Sequence, residues 1–289
     1  MKPKLGLVLG SGSARGWAHI GIIRALEDAG IRPDIVCGCS IGAFVGAAYA
    51  DGDLDKLENW VTALSWQDVL GLMDVGGGGG LIKGEKLMAF FEKHFVDVDF
   101  QALPLPFACV ATDLETGREI WLREGSVAAA VRASIALPGL FAPVARDGRL
   151  LVDGGLVNPV PVSLARALGA DVVIAADLGS DMVGKALRVQ GDEREKTNAP
   201  GWTQRLLTTL GLGRQGDMPP VSSVLATSIH IMQTRIARSR LAGEPADVLL
   251  APRLAQLALM DYHRAADAIA EGRATVARMM PAIEHALSA

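Results

Sequence analysis

Three observations in the sequence predict a three-layer α/β/α fold on a mainly parallel sheet. Short apolar runs that end in glycine or another small residue alternate with helical stretches through the first 50 residues, the pattern of βαβ units covered on both faces. Apolar runs of strand length recur at 106–113, 118–122, 149–154 and 171–178. Half of the 289 residues are apolar and 21% are charged, enough for one sizeable core.

The elements follow in order. "KLGLVLG" (4–10) reads as a buried strand. The helix after it carries Trp17, Ile20, Ile23 and Leu26 at helical spacing, with Gly30 as a stop signal. "PDIVCGCS" (33–40) is the second strand and "IGAFVGAAYA" (41–50) the helix packed on it. Residues 53–73 read as one helix, followed by a five-glycine loop (76–80) and another helix. Leu72, Met73 and Leu81 beside that loop are apolar enough to serve as a lid. Composition turns charged at about residue 181. The expected division is a core over 1–180, a variable insertion over 181–220, and a helical segment over 221–289 that completes the same domain. "ADVLLAPRL" (246–254) is a candidate edge strand, and the closing helix carries Pro281 as a potential kink. Val221, Val224, Leu225, Ile229 and Met232 have helical spacing and are expected in core or dimer contacts, with membrane contact the lesser option.

A net charge of −4 argues against a broad nucleic-acid surface. Mean hydropathy is +0.29, yet the longest uncharged run, Ile35 to Ala50, has 16 residues, short of the roughly 20 a spanning helix needs. The apolar stretch after Lys2 and Lys4 ends at Gly10, too early for a secretory signal. Cys37, Cys39 and Cys109 are too few for a disulfide framework and fit a reducing compartment. A soluble, cytoplasmic protein is expected.

Three stretches carry chemistry. "GSGSARG" (10–16) lies between strand and helix, where backbone N–H groups and the helix dipole favour an anion. A dinucleotide site is opposed by Arg15 at the sixth position and by the lack of an acid after the second strand. A P-loop lacks its Gly-Lys-Ser/Thr. An oxyanion hole and a structural turn remain open. "GCSIG" (38–42) has the form Gly-x-Ser-x-Gly on a strand-to-helix turn, where Gly38 and Gly42 allow the tight backbone that lifts Ser40 to the sheet edge. Cys39, one residue back, would pack inward. A serine nucleophile needs a base, and none of the five histidines suits a triad. His94, His263 and His285 read as solvated, His230 as core, and His19 as a packing or hydrogen-bonding residue. "LLVDGGLVNPVPV" (150–162) runs a strand into Asp153, Gly154 and Gly155, which makes a Ser–Asp dyad or a routine Asp-Gly turn.

Taken together, in kind, order and setting, the three stretches resemble the patatin-like phospholipase family. The resemblance extends to "GWAHIGIIRALEDAGIRPD" (16–34), "GLIKGEKL" (80–87), "ATDLETGRE" (111–119) and "ASIALPGLFAPV" (133–144), and covers roughly residues 5–180. It is closest to compact bacterial members. Cys39 departs from the Thr or other small residue often found before the nucleophile, a change conservative in size.

The resemblance implies Ser40 as nucleophile and Asp153 as general base, with an oxyanion hole from the backbone of Gly10, Gly12, Ser13, Ala14, Arg15 and Gly16. Arg15 would buttress that loop or attract an anionic head group. The implied activity is hydrolysis of fatty-acyl esters, phospholipid or lysophospholipid, through an acyl-serine, with no metal or cofactor. The alternative is an acyl-lipid-binding or regulatory protein with weak or vestigial hydrolysis. The expected partners are the lipid and, as further options, a membrane surface touched peripherally and a second copy of the chain, with no nucleic acid.

Overall fold

A computed structural model describes residues 3–71, 80–82, 84–180 and 221–288. In chain order it contains β1 (Leu5–Leu9), α1 (Ala18–Asp28), β2 (Ile35–Cys39), α2 (Ile41–Ala50), α3 (Leu54–Ala63), α4 (Trp66–Gly71), β3 (Gly80–Ile82) and α5 (Glu85–His94). There follow β4 (Phe107–Asp113), β5 (Glu119–Leu122), α6 (Val127–Ser134), β6 (Gly139–Phe141), β7 (Val144–Arg146), β8 (Arg149–Asp153), α7 (Val162–Ala167) and β9 (Val172–Ala176). The last elements are α8 (Val221–Gly243), β10 (Val248–Leu250) and α9 (Ala265–Ser288).

The main sheet runs β10-β9-β1-β2-β4-β8-β7, with β5 also on β4. Strands β10, β9, β1, β2 and β4 are mutually parallel; β5, β8 and β7 are joined antiparallel. β1 is buried along its whole length, as expected of a central strand with helices on both faces. Its alternation divides the core in two. Leu5, Leu7 and Leu9 join a large cluster with α1, α2, α3, α5, α6 and α9. Val8 joins a smaller one with Ile35, Cys37, α7 and Ala237 of α8. Helices α1 and α9 meet where both lack side chains: a Cβ on Gly21 would overlap the Ile269 carbonyl, and one on Gly272 the Ala18 carbonyl.

The edge of β4 positions the site. Residues 107–110 pair with β2, while residues 111–113 pair with β8. β5 takes the opposite edge, because Cys109 faces both Gly38 and Leu122, and Ala111 faces both Ile120 and Asp153. Thus β2 and β8 lie end to end along one edge and run towards each other.

Some expectations are corrected. Residues 53–71 form two helices, not one. Leu64 is extended (φ −61°, ψ 123°), and Ser65 starts a new helix in a reciprocal cap: its N–H and Oγ–H reach Asp68 Oδ2 at 2.9 and 2.6 Å, and Asp68 N–H returns to Ser65 Oγ at 3.3 Å. Gly80 belongs to β3, paired with β6 in a separate two-stranded sheet. On α8, Val224, Leu225 and Met232 are exposed rather than core, and Ile229 is half-buried, because only the opposite face of that helix meets the sheet. The closing helix is a single one with Pro281 inside it, as expected. The insertion at 181–220, Gly76 to Gly79, Leu72, Met73 and the side chains of Leu81 and Val221 lie outside the described residues.

Candidate active site

Ser40 is the one residue between β2 and α2. Its backbone, at φ 55° and ψ −124°, is a conformation that non-glycine residues seldom adopt and that costs energy to hold. The neighbours enforce it. A Cβ on Gly38 would stand 2.5 Å from Ala43 Cα, and one on Gly42 would overlap the Leu9 carbonyl. Ser40 C=O accepts the first bonds of α2, from Ala43 N at 2.8 Å and Phe44 N at 3.2 Å. Ser40 N–H donates to Ser134 Oγ at 2.9 Å, and Ser134 Oγ–H donates onward to Val110 C=O at 2.7 Å.

Asp153 ends β8 and is 1% exposed. Ser40 Oγ–H donates to its Oδ2 at 2.6 Å, and Gly155 N–H to its Oδ1 at 2.7 Å, which fixes the carboxylate plane. Its backbone is tied as well: N–H to Ala136 C=O at 2.9 Å, and C=O from Thr112 Oγ1 at 2.8 Å. Burial pushes the carboxyl from its ordinary 3.8 up to about 6, against the lowering effect of the two donated hydrogen bonds. Gly154 leaves the room β8 needs, since a Cβ there would overlap the Val110 carbonyl. Cys39 is fully buried, and burial raises its thiol well above the usual range, so it is a packing residue with no thiolate to offer.

The loop from Gly10 to Gly16 abuts this pair. A Cβ on Gly16 would overlap the side chain of Ile41, and one on Gly42 would lie 2.7 Å from the Gly10 carbonyl. Three loop N–H groups are committed: Gly10 to Ala176 C=O (3.1 Å), Ser11 to Pro159 C=O (2.9 Å) and Ala14 to Leu259 C=O (3.2 Å). Those of Gly12 and Ser13 precede the first turn of the 3₁₀ helix over Ser13–Trp17 and have no acceptor among the described residues. Ser13 has φ 54°.

A segment near the end of the described chain straps the loop down. Ser13 Oγ lies 2.6 Å from Leu259 C=O and 2.8 Å from Tyr262 Oη, Arg15 Nε–H donates to Leu257 C=O at 2.9 Å, and Trp17 Nε1–H donates to Tyr262 C=O at 3.1 Å. Arg15 is 3% exposed, and burial pulls it down to about 10. Of its two expected roles, this geometry fits the buttress. His19 is fully buried and donates Nε2–H to Gly10 C=O at 2.8 Å, neutral because burial lowers it to about 4. His94, His263 and His285 are exposed; His230 is half-buried beside Gly179 rather than in the core, lowered to about 4 by burial and by nearby Arg15. None bonds Ser40 Oγ.

Sequence reasoning missed the supports: Ser134, Tyr262 and the carbonyls of Leu257 and Leu259. Ser134 lies within "ASIALPGLFAPV", already singled out as family-like. The carbonyls leave no trace in side-chain identity.

The profile of the patatin-like phospholipase family matches residues 7–166, a span that contains Gly10–Gly16, Ser40 and Asp153. An uncharacterized NTE family protein of Mycobacterium tuberculosis is 31% identical over 98% of this chain and 92% of its own. This chain belongs to the patatin-like phospholipase family. Membership places it among lipid-ester hydrolases. The lysophospholipase nte1 of Emericella nidulans is 38% identical over 61% of this chain and 12% of its own length. In fold, the patatin-like architecture is shared with VipD from Legionella pneumophila, at a TM-score of 0.57 and 17% identity over 97% of this chain and 67% of that one. Among the described residues no helix is long and apolar enough to cross a membrane.

Proposed function

We propose that this patatin-like protein is a serine hydrolase of fatty-acyl phospholipids or lysophospholipids, with Ser40 as nucleophile and Asp153 as its general base. The observation that carries the reading is the 2.6 Å hydrogen bond from a backbone-strained Ser40 to a buried carboxylate. The name of the Emericella relative supports the substrate class.

The chemistry follows from the groups present. Asp153 takes the Ser40 proton as Oγ attacks the ester carbonyl. A carboxyl raised to about 6 is a better base than one at 3.8 and is still ionised near neutrality. The tetrahedral oxyanion is met by the uncommitted N–H groups of Gly12 and Ser13, with the N-terminus of α2 adding its dipole. Asp153 then returns the proton to the departing alkoxide, leaving acyl-Ser40. Water attacks the acyl-enzyme, Asp153 accepts its proton, and the fatty acid is released as Ser40 recovers its own. The N–H groups of Gly10 and Ala14 are spent on Ala176 and Leu259 and hold the loop in place, while Arg15 and Gly16 complete the turn around the hole.

Fluorophosphonate labelling tests this. Native protein should label rapidly, Ser40→Ala not at all, and Asp153→Asn about 10²–10⁴-fold more slowly, the usual worth of a general base. Native labelling no faster than that of Ser40→Ala would replace this reading with that of an acyl-lipid-binding protein.

A further inference from the structure

Helix α8 has two faces of different character. Its inner face holds Thr234 and Ala237, both 2% exposed, with His230 near Gly179, and Gln233 where a Cβ on Gly155 would collide with it. Its outer face holds Val224, Leu225, Ile231 and Met232, which are 45%, 57%, 47% and 51% exposed. At 3.6 residues per turn these four fall within an arc of about 140° that also contains Arg235 and Arg238, both exposed. The helix carries three arginines and no Asp or Glu, in a chain whose net charge is −4. Arg240 is paired with Glu119, and Arg238 reaches the Ser180 carbonyl at 3.3 Å while remaining exposed.

We propose that this outer face of α8 is a docking surface for an anionic lipid bilayer. The four apolar side chains would enter the boundary between head groups and acyl chains, and Arg235 and Arg238 would meet lipid anions. Charge decides the occupant: a second copy of the same face supplies no carboxylate to these arginines, whereas an anionic bilayer supplies a field of them. The inner face of the helix touches Gly155, two residues from Asp153, so docking brings the site to its lipid. This last point rests on the hydrolase reading above; the docking itself does not.

Flotation with vesicles is the test, using full-length Ser40→Ala protein so that the lipid is not consumed. Vesicles of phosphatidylcholine alone are compared with vesicles in which roughly a third is phosphatidylglycerol. The expected result is binding to the anionic vesicles, weakened by salt. Arg235→Gln with Arg238→Gln should lower it by roughly 25-fold, about fivefold per charge, and Leu225→Glu with Met232→Glu should abolish it. Equal binding to both vesicle types overturns the proposal, as does binding that survives both pairs of changes. So does a dimer, seen by sedimentation, that the Leu225/Met232 pair dissociates without affecting vesicle binding. Turnover of a water-soluble short-chain ester by protein with Ser40 intact reports the site separately. Its failure would sink the hydrolase reading and leave the vesicle result to decide this one.

Discussion

Cys39 and Asp153, 114 positions apart in the chain, lie next to each other along one edge of β4, opposite Val110 and Ala111 respectively. One belongs to a strand parallel to β4 and the other to an antiparallel strand, so the two chain ends converge. Ser40, one step beyond Cys39, therefore meets a carboxylate held by the same sheet. The Ser–Asp distance is fixed by β-ladder register rather than by loops, the rigid support a catalytic pair needs.

The first prediction concerns pH. Asp153 alone bonds Ser40 Oγ among the described residues and is raised to about 6, while His19 and His230 are pushed down to about 4, so its ionisation should set the rate between pH 5 and 7. The rate constant kcat/KM on a soluble ester should fall about tenfold per pH unit below about 6 and level off above it. A pH–rate profile flat from 5 to 7 would remove Asp153 from the role of base.

Stability should respond in the opposite sense. Because the Asp153 carboxyl is raised on folding, the folded state binds the proton more tightly than the unfolded state. Its contribution is full below about 3.8 and is lost as pH rises through about 6. Asp153→Asn is free of this loss, so its stability relative to native protein should improve by about 2–3 kcal/mol between pH 4 and pH 7.5. Urea melts at the two pH values measure the difference directly.

Ser134→Ala leaves both Ser40 N–H and Val110 C=O without their partner. The expected cost is about 1–3 kcal/mol of stability. A misplaced elbow should also slow fluorophosphonate labelling by about 10–100-fold. On a soluble ester the loss should appear in kcat with KM little changed, because the hydroxyl holds the Ser40 backbone.

Much of this was legible in the sequence because it depends on side chains and spacing. β1 and β2 show as apolar runs because both their faces are buried, and Gly38, Ser40 and Gly42 mark the turn between strand and helix. β3, β6 and β7 have three residues each, too few for alternation to register. The break at Leu64 was hidden by apolar spacing that runs on across it, although Ser65 and Asp68 were the signal. On α8 the spacing of Val224, Leu225 and Met232 suggested burial, but periodicity identifies a face without saying what lies against it. The strap on the glycine-rich loop was invisible because it consists largely of main-chain carbonyls.

Glycine substitutions separate the crowded positions from the open ones. Gly42→Ala forces a Cβ into the Leu9 carbonyl, which is backbone and cannot turn aside. It should cost about 3 kcal/mol or more and abolish labelling. Gly71→Ala, with nothing within 4 Å, should change stability by no more than about 0.5 kcal/mol. Thermal melts of the two variants beside native protein give the comparison.

The strap also sets the order in which the site is assembled. The loop proposed to hold the oxyanion is made before Ser40 and Asp153, yet its Ser13 and Arg15 are held by residues 242 to 249 positions further on. A nascent chain that has formed Ser40 and Asp153 still lacks the groups that fix this loop. The order of synthesis thus places the anchors of this loop after both members of the Ser–Asp pair, and a chain halted before Tyr262 lacks the last of them.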